Sequence, residues 1–267
     1  MADGVTTRGV VRYHETVEQV SDALVVEEPM EIRLEGVPLA VVMRTPGQDA
    51  ALALGFAITE GVVTGPQDVS AVRDLGEGRY ELVLADGVSV DPDRFRRNFY
   101  ATSSCGVCGK ASIDAIRVTG SYPPPGPTID REVIMALPGQ LYEHQVAFHR
   151  TGGLHAAAGF LADGSILGVC EDVGRHNSVD KLVGRLARES WPLSPMGLMI
   201  SGRLSFEIVQ KAAVAGMSLV CGVSAASSLG VELAEEFGMT LIGFLRDDGF
   251  TVYTDNGRLD EAGGESA

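Results

Sequence analysis

Residues 197–245, GLMISGRLSFEIVQKAAVAGMSLVCGVSAASSLGVELAEEFGMTLIGFL, decide the fold, because apolar runs of strand length alternate there with runs of helix length. "GLMIS", "SLVCGVS" and "MTLIGFL" are short and almost wholly apolar, as strands covered on both faces are. Between them, "RLSFEIVQKAAVAG" and "SLGVELAEEFG" read as helices that end at Gly216 and Gly238, glycine being the residue that most easily adopts the left-handed turn closing a helix. Ser205 precedes the first of these helical runs and reads as its N-cap. Such alternation predicts a layered α/β domain.

Upstream, "GRHNSVDKLVGRLAR" predicts a helix with Val179, Leu182, Val183 and Leu186 on one side. "SILGVCEDV" reads as a strand, and "HQVAFHR" and "HAAAGFLAD" as two adjacent strands. Downstream, "GFTVYT" predicts a hairpin return before the polar tail "GRLDEAGGESA", which reads as disordered. The prolines of "GSYPPPGPTI" forbid a regular element and mark a linker. Ahead of it, "EIRLEGVPLAVVMRTP" predicts a hairpin turning at Gly36 and Pro38, and "GQDAALALGFAITEGVV" a helix capped at Asp49. Strands at 69–75 and 79–85 complete an α+β unit. The expected organisation is an N-terminal α+β domain at 1–120, a linker at 121–129, an α/β domain at 130–256 and a tail at 257–267.

The formal charge of −15 and an isoelectric point near 4.7 exclude a general nucleic-acid binder, which needs a broad basic face. No apolar window reaches bilayer-spanning length, and "MADGVTTRGV" lacks the basic and apolar regions of a secretion signal. Four cysteines in 267 residues form no disulfide framework. A cytoplasmic protein without nucleic-acid or membrane partners is expected.

Two of those cysteines, Cys105 and Cys108, share the stretch "ATSSCGVCGK". A closed zinc site needs four N or S ligands. Cys170 and Cys221 stand singly in apolar runs and read as small buried hydrophobes. His149 and His155 are separated from Cys108 by a proline-rich segment far longer than finger modules contain. No metal site is expected. A thiolate beside Lys110, near the start of the helix expected at "GKASIDAIRV", should have a lowered pKa and be a competent nucleophile. Gly106 and Gly109 leave it uncrowded. These residues suit either dithiol redox exchange or carriage of sulfur as a persulfide, and composition does not separate the two.

Five motifs in order say more: "SSCGVCGK" at 103–110, "TGGLHAA" at 151–157, "EDVGRHNSVDKLVG" at 171–184, "SGRLSFEIVQKAAVAG" at 201–216 and "LIGFLRDDGFTVYT" at 241–254. From about residue 30 to 254 the chain resembles the FdhD family, the formate dehydrogenase accessory sulfurtransferases or sulfur carrier proteins. The resemblance implies a small N-terminal domain followed by a domain of cytidine-deaminase-like fold. It implies sulfur taken from a cysteine desulfurase and delivered to the molybdenum or tungsten of a bis(molybdopterin guanine dinucleotide) cofactor, before that cofactor enters apo formate dehydrogenase. Cys105 would bear the persulfide, with Cys108 as helper, and the family is homodimeric. Guanine-nucleotide contacts fall, by motif, on Phe244, Leu245, Arg246, Asp247, Asp248 and Gly249. Deamination does not follow, because His155 precedes Ala156 and Ala157 rather than opening the H-x-E that zinc deaminases require. A cofactor-binding chaperone without sulfur chemistry, or a thiol oxidoreductase, is the alternative.

An acidic protein holds a pyrophosphate only in a locally basic pocket. Arg203 in "SGRLS", at a helix start, is the best side chain for it. Arg175, Lys181 and Arg185 are further candidates, the last two readable equally as a solvated helix face. Arg94, Arg96 and Arg97 are suited to steering an anion or an acidic partner.

Overall fold

The computed structural model describes residues 4–91 and 126–260. The chain opens with an antiparallel ribbon, β1 (Val5–Tyr13) and β2 (Val17–Val25), in register from Val5 opposite Val25 to Tyr13 opposite Val17. Then β3 (Glu28–Leu34) and β4 (Val37–Arg44) form the expected hairpin. Its turn falls at Glu35 and Gly36, both at positive φ, the mirror-image turn that matches strand twist. Next come α1 (Asp49–Thr59), a 3₁₀ turn (Pro66–Asp68), β5 (Val69–Gly76) and β6 (Arg79–Leu84). These strands make a four-stranded sheet in the order β4-β3-β6-β5. The N-cap of α1 is Gln48 rather than the expected Asp49, which is the first helical residue and is held by Arg44 at 2.8 Å.

After residue 126 follow β7 (Ile129–Asp130), α2 (Arg131–His144), α3 (Val146–Thr151), β8 (His155–Phe160), β9 (Ile166–Asp172) and α4 (Arg175–Leu186). Then come β10 (Gly197–Ile200), α5 (Phe206–Ala215), β11 (Leu219–Gly222), α6 (Ser228–Glu236), β12 (Thr240–Arg246), β13 (Gly249–Thr254) and β14 (Leu259–Asp260). From Ile166 to Thr254 the alternation of strand and helix is as the sequence predicts, but the tail expected from 257 is ordered at its start, where β14 pairs in parallel with β7 and Arg258 is buried. "HQVAFHR" is not the expected strand. It ends α2 and forms α3, whose first N–H groups at Ala147 and Phe148 are bound by the Glu171 carboxylate at 2.9 and 2.8 Å. That cap comes from a distant strand, and Val146 is exposed, so local alternation misleads.

The large sheet runs β13-β12-β11-β10-β8-β9. Its strands β10, β11 and β12 are parallel to one another, while β8 is antiparallel to both β9 and β10. Side chains alternate between two cores, giving a helix–sheet–helix sandwich. Ala156, Ala158, Phe160, Met199, Leu219 and Ile242 pack against Ile134, Leu137 and Leu141 of α2. Ala157, Leu198, Ile200, Val220 and Leu241 face Val179 and Leu182 of α4 and Ile208 and Val209 of α5.

Helix α1 belongs to this second core and lies directly on α4. A Cβ built on Gly55 would stand 1.8 Å from the Asp180 carbonyl oxygen, and one on Gly184 only 1.9 Å from that of Ala51. Backbones this close leave no room for any side chain. Two buried ion pairs flank the crossing. Lys181 Nζ lies 2.6 Å from Asp172 and donates to the Thr45 carbonyl at 2.8 Å. Lys211 Nζ contacts Asp180 and Glu60 at 2.9 Å each, and donates to Thr59. Burial opposes the Lys211 charge, but the two carboxylates hold its pKa above the usual lysine range.

Candidate functional site

Cys105, Cys108, Arg94, Arg96 and Arg97 lie outside the described residues. Cys170 and Cys221 are 1% and 0% exposed. Burial pushes the Cys170 thiol up to about 11 and that of Cys221 higher still. Neither is a nucleophile at neutral pH, as expected for small hydrophobes.

Phe244 to Gly249, Arg203 and Arg175 gather at one edge of the large sheet, whereas Lys181 and Arg185 do not. Because β10, β11 and β12 are parallel, their C-terminal ends share that edge with the start of β8 and the end of β9. Open α/β sheets bind ligands at this edge.

At β12 the edge is built around a bulge. The pairing with β13 shifts register between Gly243 and Arg246, and Phe244 sits there at φ 50. A left-handed backbone at an aromatic residue is strained, at a cost of order 1–3 kcal/mol. The Phe244 N–H donates to the Ser224 carbonyl at 3.1 Å. Gly243 permits this approach, since a Cβ there would lie 2.8 Å from the same oxygen and 2.6 Å from the Tyr253 ring. The bulge turns Phe244 outward, leaving it 49% exposed next to Leu245, which is fully buried in the α2 core. Arg246 donates to the carbonyls of Val223 and Leu245, and so braces the turn. Asp247 and Asp248 are exposed in the turn, and Gly249 opens β13 opposite Arg246. The loop thus presents an aromatic face, two carboxylates and a guanidinium within six residues.

The second part of the edge lies at β8, β9 and β10. Arg203 is exposed in the loop from β10 to α5, whose course is set by a bridge between Leu204 and Ala226. Ser205 is the N-cap of α5 by position, yet its hydroxyl makes no cap bond and lies 3.4 Å from His176 Nε2. Ser201 Oγ accepts from the Ala156 N–H at 2.9 Å and lies 3.4 Å from His155 Nδ1. Asp172 orders the turn into α4 by accepting from the Gly174 N–H at 2.8 Å and from Asn177 at 2.9 Å. Both imidazoles are pushed toward the neutral form. Burial and the Arg175 charge depress His155, and burial, Arg175 and Lys211 take His176 down to about 3.

Three cations that the sequence offered together are separated. Arg175 stands at the edge beside His155 and Gly202. Lys181 is 2% exposed in its ion pair with Asp172, so it is neither a solvated face nor a ligand group. Arg185 lies about 15 Å along the helix from Arg175 at 1.5 Å per residue, in a 460 Å³ groove with Gln48, Asp49, Tyr80 and Arg188. There burial, with Asp49 and Asp74, raises the Tyr80 phenol to about 12. His176 escaped sequence reasoning, although "GRHN" directly after a strand was a usable signal. Among the described residues, no group of three or more His, Cys, Asp or Glu side chains is placed to hold a metal. No helix there is long and apolar enough to cross a membrane.

Residues 25–260 match the model of the FdhD/NarQ family. A protein of Streptomyces coelicolor named sulfur carrier protein FdhD is 48% identical over 94% of each chain. Proteins of the same name from Mycobacterium tuberculosis and Sulfurisphaera tokodaii are 46% and 42% identical, covering 92% and 94% of this chain and 96% and 97% of theirs. A crystal structure from Desulfotalea psychrophila, described as a formate dehydrogenase accessory protein, superposes with a TM-score of 0.76 over 96% of this chain and 99% of that one. At 18% identity, that last likeness speaks for the fold alone.

Proposed function

The chain belongs to the FdhD/NarQ family, and from that premise we propose that it is a sulfur carrier serving a formate dehydrogenase, with Cys105 as the residue that bears sulfur. The observation that carries the reading is the near full-length identity with proteins named sulfur carriers. A donor persulfide, the product of a cysteine desulfurase, is attacked at its outer sulfur by the Cys105 thiolate. The donor leaves as a thiolate, and Cys105 becomes a persulfide. Attack of the Cys108 thiolate on the inner sulfur then releases hydrosulfide and leaves a Cys105–Cys108 disulfide, which a dithiol reductant resets. The protein acts in the cytoplasm as a homodimer, and hands its cargo to apo formate dehydrogenase.

The client that receives the sulfur is the molybdenum or tungsten bis(molybdopterin guanine dinucleotide), held as cargo rather than as a resident cofactor. The residues present suit its nucleotide end. Phe244 is exposed on a strained backbone and offers a stacking face. The exposed carboxylates of Asp247 and Asp248 match the N2 amine donor that guanine carries and adenine lacks. When bound, the client supplies the metal that takes up the sulfur.

Reconstitution of apo formate dehydrogenase with the desulfurase, cysteine and the client cofactor tests the reading. Wild type should restore activity and Cys105→Ala should not. Full rescue by Cys105→Ala would replace the carrier with a cofactor-binding chaperone, and a Cys105–Cys108 disulfide turning over without sulfur transfer would indicate a thiol oxidoreductase.

A further inference from the structure

The groove at the C-terminal end of α4 lies away from the ligand edge, on the seam between the N-terminal unit and the α/β domain. The first turn of α1, Tyr80 of β6 and the pair Arg185 and Arg188 enclose its 460 Å³. The acids beside it are already engaged. Asp49 is held by Arg44 at 2.8 Å. The Tyr80 hydroxyl lies 3.3 Å from both Asp49 and Asp74, and Asp74 also accepts from the Gly76 N–H at 2.8 Å. The two arginines, by contrast, meet no carboxylate. Arg185 donates to the Val169 carbonyl at 3.4 Å and lies against the protonated Cys170 thiol. A Cβ on Gly168 would come within 3.6 Å of its guanidinium carbon, so the group rests on the bare backbone of β9 and is held in place. Among the described residues, Arg188 makes no hydrogen bond and no ion pair. Two guanidiniums without a counter-ion thus share one groove in a chain of formal charge −15.

Neighbouring guanidiniums repel each other, and a carboxylate between them turns that repulsion into charge-assisted hydrogen bonds. The groove is open rather than closed over a small molecule, since Gly47, Gln48, Ala50, Arg185 and Arg188 are all exposed. An open channel with two cations fits an extended acidic chain, whose alternate side chains stand about 7 Å apart on one face, a span that two long arginines can bridge. We infer that the seam groove docks an acidic polypeptide segment of a partner protein, with carboxylates paired to Arg185 and Arg188 and the chain lying along Gln48 and Tyr80. Arg175 and the ligand edge lie about 15 Å away along α4. A partner seated in the groove therefore leaves the edge free, and partner and cargo can be held together.

Fluorescence anisotropy of the full chain with a short dye-labelled peptide of alternating glutamate and glycine tests this, with a glutamine peptide as the neutral control. At low ionic strength the acidic peptide should bind about tenfold or more tightly than the neutral one, and added salt should erase the difference. Arg185→Gln and Arg188→Gln should each weaken the acidic peptide about fivefold, the upper range for an exposed ion pair. Arg131→Gln, which removes an exposed arginine from α2, should change nothing. Thermal unfolding shows that each variant is folded, and Arg188→Gln breaks no bond within the described chain. Equal affinity for the two peptides, or an equal loss in Arg131→Gln, would make the binding non-specific and overturn the inference. So would the absence of any acidic-peptide binding. Inorganic phosphate displacing the peptide at matching concentration would mark a small-oxyanion site and overturn the polypeptide assignment. Self-association that is lost in Arg188→Gln, read by sedimentation, would give the groove to a second copy of this chain and overturn the partner assignment.

Discussion

The crossing of α1 on α4 and the bulge of β12 both depend on glycine and on placed polar groups, yet they use them in opposite ways. At the crossing, Gly55 and Gly184 bring two backbones into contact, and every charge beside them is buried against an opposite one. At the bulge, Gly243 lets the chain approach Ser224 so that Phe244 can be turned out into solvent on a strained backbone. The first region spends its glycines on cohesion. The second gives up stability to present an aromatic face, which is the pattern expected of a ligand site on a rigid scaffold. Variants at the two places should separate stability from binding.

The largest effect is expected at the crossing. Gly184→Ala places a methyl group against the Ala51 carbonyl and should cost about 3 kcal/mol of unfolding free energy, at the upper end for overpacking. A methyl group on Gly139 of α2 would meet nothing within 4 Å, so Gly139→Ala should instead stabilise by about 0.5–1 kcal/mol. Urea unfolding of the two variants checks the contrast. Equal responses would mean that the helices have room to separate.

An intermediate effect is expected from pH. His176 titrates at about 3 in the folded chain against 6.5 as the ordinary value, so between those values the unfolded chain binds the extra proton. Stability is therefore complete above about pH 6.5 and falls as pH is lowered, by at most about 1.4 kcal/mol per unit for this group. His155, also depressed, adds in the same direction. His176→Gln should flatten the slope between pH 6.5 and 4.5, and urea midpoints across that window would show whether it does.

The smallest effect on stability belongs to the bulge. Phe244→Gly removes the strained aromatic and should leave stability unchanged or raised by about 1 kcal/mol. The same change should weaken guanosine binding about tenfold, the scale of one lost base–aromatic stack. Loss of stability in this variant would place Phe244 with the crossing rather than with the ligand edge.

The contrast also explains what the sequence disclosed. Elements such as β10, α5, β11 and β12 were legible because each buries residues at its own period against a sheet covered on both faces. The β1–β2 ribbon was not, since it is largely exposed and shows no period-two burial. Helix α2 was hidden by Pro138 and Gly139 within it, and α3 by a cap supplied from Glu171. At the site, Phe244 and Arg246 could be placed at the end of a strand, but not the bulge that separates exposed Phe244 from buried Leu245. Lys181 resembled a surface charge because its partner Asp172 lies outside its own helix. His176 gained its environment only when α4 met α5.

The central claim is that this chain carries sulfur on Cys105. Intact mass spectrometry after incubation with a cysteine desulfurase and cysteine tests it most directly, comparing wild type, Cys105→Ala and Cys108→Ala before and after reductant. The account predicts a reductant-labile gain of one sulfur in wild type and Cys108→Ala, and none in Cys105→Ala. No gain in any variant, with the desulfurase shown active, would contradict it.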